Sequence, residues 1–169
     1  MNVAVLSVSG DTLQVSVTET MNSTGRPATY EGTVLPDGSV NFGPDTIQDV
    51  TRQLLEFFGT GFEPKDKTGA GSTWDVGANR GGIDLTAHYG VTKVDGDLAT
   101  VSVHETVKFA AQNASMTLEG MVVTKPALLV PVSGDLHRTI RRTTANGESQ
   151  TIVSLQFQRQ FDSLDPSAH

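Results

Sequence analysis

Residues 101–107 read "VSVHETV" and residues 15–21 read "VSVTETM". Extended without a gap, residues 3–21 match 89–107 at Val5/Val91, Val8/Val94, Gly10/Gly96, Asp11/Asp97, Val15/Val101, Ser16/Ser102, Val17/Val103, Glu19/Glu105 and Thr20/Thr106. Typical residue frequencies give about one match by chance over such a span. Any two hairpins converge on Val, Thr and Gly-Asp turns. Identity at Ser16, Glu19 and Thr20, read as positions of solvent type, is not selected by β-propensity and argues for duplication. The match resumes with "YEGTV" (30–34) against "LEGMV" (118–122), after a loop two residues longer in the second copy.

The repeat sets an expected register. A three-residue loop, Asp95-Gly96-Asp97, pairs Val94 with Leu98 and places Val91 opposite Val101, Tyr89 opposite Val103 and Leu85 opposite Val107, all on one face. A two-residue loop would set Tyr89 against Ser102 and mix the faces. In the first copy the loop Ser9-Gly10-Asp11 pairs Val5 with Val15 and Val3 with Val17. Each copy continues as a meander. Residues 115–123 form a third strand in the second copy, with Met116, Leu118 and Val122 opposite Phe109, Val107 and Val103. The last hairpin turns at Asn146-Gly147 and pairs Ile140 with Val153 and Leu136 with Phe157.

One segment breaks the β pattern. "GPDTIQDVTRQLLEFFG" (43–59) puts Ile47, Val50, Leu54, Phe57 and Phe58 on one helical stripe, with Pro44 and Asp45 near its start and Gly59 just past its end. An amphipathic helix beside many strands buries that stripe against a sheet. The expected fold is mainly β, of the α+β kind: a curved antiparallel sheet or half-barrel built from two repeated meanders, with one amphipathic helix packed on it. The expected layout is a single domain over 1–169. It comprises a first meander plus helix (1–58), a connecting loop rich in Gly, Lys and Thr (59–73), and a second meander with the final hairpin (74–169), Trp74 anchoring its first strand.

Composition narrows the function classes. The chain has 169 residues, 37% hydrophobic and 18% charged, with 17 Gly and no Cys. Lacking cysteine, it forms no disulfide, thiolate zinc site or cysteine nucleophile. A formal net charge of -7 is opposed to nucleic-acid binding, which needs many Lys and Arg to displace counterions. No run of 18 apolar residues marks a transmembrane segment, and "MNVAVLSVSGDTL" lacks the basic and apolar regions of a secretory signal. Either a cytoplasmic protein or a mature, trimmed chain is expected on that ground.

The order "LPDGSV", amphipathic helix, "FEPKDKTGAGSTWDV", "AHYGVTKVDGDLATVSV", "LEGMVV" and a long final hairpin resembles bacterial cell-envelope proteins of unknown function. Those have two β-meander halves joined by a helix, and are loosely similar to the half-barrel carriers of the LolA and LppX type. The resemblance implies export to the cell envelope or periplasm, often as a lipoprotein, although the chain has no lipobox cysteine. A lipid-like ligand or an envelope protein partner is expected, and no cofactor.

Three groups of residues are candidates for a site. His88 and His104 face each other across the hairpin, with Cβ atoms ~5 Å apart, close enough to share a metal. Two surface histidines on a polar face is the competing reading. Glu119 is expected beside Thr106, reaching the pair only diagonally. In "HRTIRRTT", Arg138 and Arg142 alternate with Leu136 and Ile140 on the apolar side, where a guanidinium could hold a carboxylate or phosphate head group. The alternative is that such an arginine snorkels to the sheet edge or pairs with an acid. Arg138, Arg142 and Tyr89 are the candidate ligand-binding residues. No Gly-x-Ser-x-Gly elbow, phosphate loop or His-Glu-x-x-His motif is present. The expected function is therefore non-catalytic binding of a hydrophobic or amphiphilic ligand or a partner protein. The alternative is a small β-barrel enzyme with a pocket lined by His88, His104 and Arg138.

Overall fold

A computed structural model of the chain describes residues 1–20, 26–36, 39–42, 47, 49–55, 57–58, 69–125 and 131–159. These fall into two compact units. The first holds a four-stranded antiparallel sheet, β1 (Asn2–Ser9), β2 (Thr12–Thr20), β3 (Pro27–Val34) and β4 (Val40–Phe42), in that spatial order, and a helix, α1 (Asp49–Leu55). The second is a six-stranded antiparallel meander in sequence order: β5 (Thr73–Arg80), β6 (Ile83–Asp95), β7 (Leu98–Phe109), β8 (Ala114–Thr124), β9 (Ser133–Thr144) and β10 (Gly147–Gln158). The mainly β, antiparallel expectation holds. The strands are divided between two sheets, and neither closes into a barrel.

The two hairpins with matching sequence are β1–β2 and β6–β7. Val3 pairs with Val17 and Val5 with Val15, just as Tyr89 pairs with Val103 and Val91 with Val101. The turns differ from the expected form. Ser9 pairs with Thr12 and Asp95 with Leu98, leaving two-residue Gly-Asp turns in which Gly10 (φ 59°) and Gly96 (φ 60°) take the positive φ that such turns ask of their first residue. Val94 therefore faces Ala99, not Leu98. The one-residue offset is absorbed further along, by a β-bulge between Val5 and Ser7 and another between Val91 and Lys93. Both bulges sit at the same place in the repeat, and each returns the valines to the inward face.

Inward positions carry the cores. Leu13, Val15, Val17 and Val34 are buried in the first unit, and Val91, Val101, Val103, Leu118, Val122 and Leu136 in the second. Two acids share that inward alternation: Glu19, 3% exposed, and Glu105, 5% exposed. Glu19 is read from the sequence as a position of solvent type, whereas alternation turns Glu105 to the face away from His104. Each follows two buried valines at spacing two, so strand geometry turns its side chain inward with them.

Pairing beyond the hairpins is shifted by two residues from expectation. Met116 faces Val107, Leu118 faces Glu105 and Val122 faces Val101. In the last hairpin Thr144 pairs with Gly147, so Ala145-Asn146 form the loop, and Ile140 faces Thr151 while Leu136 faces Leu155. A shift of two keeps every side chain on its own face. The same shift separates "YEGTV" from "LEGMV": Val17 faces Tyr30, whereas its counterpart Val103 faces Gly120.

The expected long helix is reduced to α1, seven residues. Pro44, Asp45 and Gly59 lie outside the described residues, as do residues 60–68. Bonds from the Phe57 amide to the Leu54 carbonyl (3.2 Å) and from Phe58 to Leu55 (3.0 Å) follow α1 with the tighter i to i+3 pattern common at helix ends. Ile47, Leu54, Leu55, Phe57 and Phe58 are buried. The Thr51 hydroxyl donates a 2.6 Å hydrogen bond to Glu19 Oε2, tying α1 to β2.

Candidate functional site

The six-stranded sheet carries chemistry on both faces. On the exposed face the pairing sets one straight row across all its strands: Asp75, His88, His104, Glu119, His137 and Ser154. His88 Nδ1 lies 2.8 Å from Asp75 Oδ1, and His104 Nδ1 lies 3.0 Å from Glu119 Oε1. His137 Nδ1 is 3.2 Å from Ser154 Oγ. The two-residue shift of β8 brings Glu119 directly opposite His104 rather than beside Thr106, where Thr117 stands instead. His137 was missed as a member of the row because that shift carries no mark in the hydrophobic pattern.

Four residues further along the same face, about 13 Å for an extended strand, lies a second row containing Lys108, Ser115, Arg141 and Gln150. It opens into a depression of 730 Å³ at the end of the sheet, lined also by Phe109 and Arg142. Local structure shapes it. A 3-10 turn, Ala110–Gln112, joins β7 to β8 and ends on Asn113 in the left-handed region (φ 46°), which Asn tolerates better than most residues. The Asn113 carbonyl accepts a 3.1 Å bond from the Thr143 amide, fastening the turn to β9. Lys108, Arg141 and Arg142 are exposed, and among the described residues no acid lies in ion-pair contact with them. Glu148 is the single carboxylate in the lining, so the depression holds three cations against one acid.

The inward face holds the other polar groups. Glu105 Oε1 accepts a 2.6 Å bond from the Tyr89 hydroxyl, and Tyr89 stacks on Trp74 with ring centroids 5.3 Å apart. Burial pushes the Glu105 carboxyl above its ordinary value, and the Tyr89 bond opposes that shift. Arg138, 8% exposed, shares a cross-strand row with Ala87, Glu105, Leu118 and Val153.

The structure therefore separates residues that were grouped from sequence. Arg138 and Tyr89 are on the inward face, and Tyr89 is 7% exposed with its hydroxyl committed to Glu105. Arg142 stands at the exposed end of β9. His88 and His104 are on the face opposite Arg138, so the three do not line a common pocket, and no closed barrel surrounds them. Alternation places Glu105 on the face away from His104, and its identity with Glu19 in the repeat carries the same inward parity to Glu19. Among the described residues, no group of three or more His, Cys, Asp or Glu is arranged to hold a metal ion, and no helix is long and apolar enough to cross a membrane.

No family model, no curated protein and no solved structure matches this chain.

Proposed function

We propose that this is a non-catalytic binding protein of the cell envelope whose ligand is an anionic amphiphile, held by its head group in the depression formed by Lys108, Arg141 and Arg142. One observation carries the reading. Three exposed cations line one open hollow with a single carboxylate, on a chain whose formal net charge is -7. Guanidinium groups bind carboxylate and phosphate oxygens through charge-assisted, frequently bidentate hydrogen bonds. Phe109, Ala110 and Ala114 in the same lining supply apolar contact for the start of a tail. The exposed Arg142, rather than the buried Arg138, is the arginine available to such a head group. The envelope location is what the resemblance implies.

The test is titration with oleate and with the neutral monoolein, followed by calorimetry. Oleate is expected to bind the parent protein. Arg141→Ser combined with Arg142→Ser should weaken oleate about tenfold or more, as loss of about 1.4 kcal/mol or more requires, and leave monoolein little changed. Equal loss for both ligands, or no oleate binding by the parent, overturns the reading.

A further inference from the structure

We propose that His88 and His104 form a binding site for a divalent transition-metal ion on the exposed face of the six-stranded sheet. The site is independent of the basic depression and requires no amphiphile.

The two histidines are direct cross-strand partners, which places their Cβ atoms about 5 Å apart on the same face. Both are accessible, with side chains 57% exposed. The distinguishing feature is what lies behind each ring. Asp75 takes the Nδ1 of His88 at 2.8 Å and Glu119 takes the Nδ1 of His104 at 3.0 Å. A carboxylate only accepts, so each neutral imidazole carries its proton on Nδ1 and keeps the lone pair on Nε2. This is the arrangement by which an outer carboxylate fixes the tautomer of a metal-ligating histidine and holds the ring plane. It occurs twice, symmetrically, on the two outer sides of one histidine pair.

His137, in the same row, lacks this support: its Nδ1 meets the Ser154 hydroxyl at 3.2 Å and its Nε2 lies 3.8 Å from Asp135 Oδ1. It is also two strands from His104, with Glu119 between them, so it serves as an internal control. With two protein ligands, the ion's remaining positions are filled by water. Imidazole pairs favour the late first-row ions, Ni²⁺, Cu²⁺ and Zn²⁺, over Mg²⁺ and Ca²⁺, which take oxygen ligands.

The experiment is calorimetric titration of the full chain, carrying no oligohistidine tag, with Ni²⁺ alone at pH 7.5. One ion is expected per chain. His88→Asn and His104→Asn should each weaken binding about tenfold or more, since either removes one arm of the chelate. His137→Asn should leave it unchanged. Asp75→Asn with Glu119→Gln, which keeps both imidazoles but alters what holds them, should weaken it by about 10- to 100-fold. Circular dichroism confirms that each variant is folded. Failure of the parent to bind Ni²⁺ at millimolar concentration, or equal loss in His137→Asn and His88→Asn, overturns the proposal. Neither result touches the amphiphile reading, whose residues and probe are different.

Discussion

Glu19 and Glu105 occupy the same position of the repeat, and each accepts a 2.6 Å hydrogen bond from a hydroxyl, Thr51 for the first and Tyr89 for the second. Both carboxyls are almost fully buried. Removing a carboxylate from water is costly unless hydrogen bonds replace the lost hydration, so the two hydroxyls matter to folding out of proportion to their size.

The raised Glu105 carboxyl couples stability to pH. Its ordinary value is 4.5, and burial lifts it in the folded chain. Below 4.5 both states hold the proton and no stability is lost. As pH rises through the window between the ordinary and the raised value, the unfolded chain releases its proton first, and stability falls. Glu105→Gln removes this component. Urea midpoints measured from pH 4 to 8 should therefore show the variant gaining on the parent as pH rises. A constant difference across that range would contradict the assignment.

Tyr89→Phe removes the bond that opposes the upward shift of Glu105. It should cost roughly 1 to 3 kcal/mol at neutral pH, the usual penalty for stranding a buried acceptor, and move the Glu105 titration still higher. Combining it with Glu105→Gln tests the partnership. If the two act through one contact, the double-mutant cycle will show a clear interaction energy.

Leu118 and Leu54 are buried at 0% and 4% exposure. Truncating either to Ala should destabilise by about 2 to 5 kcal/mol. Unchanged urea midpoints in Leu54→Ala would show that α1 is peripheral to its unit.

Gly120 has φ 151°, and a Cβ there would run into the Asp135 carbonyl oxygen and come within 2.9 Å of Leu136 Cα. In the first unit the same register slot holds Tyr30. Among the described residues, the pairing of β3 with β4 runs from Val34 to Gly32. Gly120→Ala should thus cost about 2 to 5 kcal/mol from strain and overpacking together, read as a fall in the thermal midpoint.

Parity makes much of this fold legible in the sequence. Valines at 15, 17, 101 and 103 point inward in any sensible pairing, so the sheet faces and the opposition of His88 to His104 followed directly. Shifts of two residues were invisible for the same reason: they change neighbours without changing faces. That is why Glu119 was placed beside Thr106 and Leu136 against Phe157. The bulges left no local signal either, since the extra residue is Leu6 in one copy and Thr92 in the other. The turn was consequently assigned the offset that the bulge absorbs. Alternation turns Glu105 away from His104, as observed; Glu19, read by its charge as a solvent-type residue, follows the same alternation. The basic depression depends on how a 3-10 turn and a hairpin end meet in space, which spacing along the chain does not encode.

The bulge recurs at one position of both hairpins although its residue is Leu6 in one and Thr92 in the other. Where the kink falls is therefore not dictated by the side chain that occupies it. The inward acid likewise recurs with different company: a hydroxyl reached from a helix for Glu19 and one from the neighbouring strand for Glu105, so one backbone frame accepts either source of a proton donor.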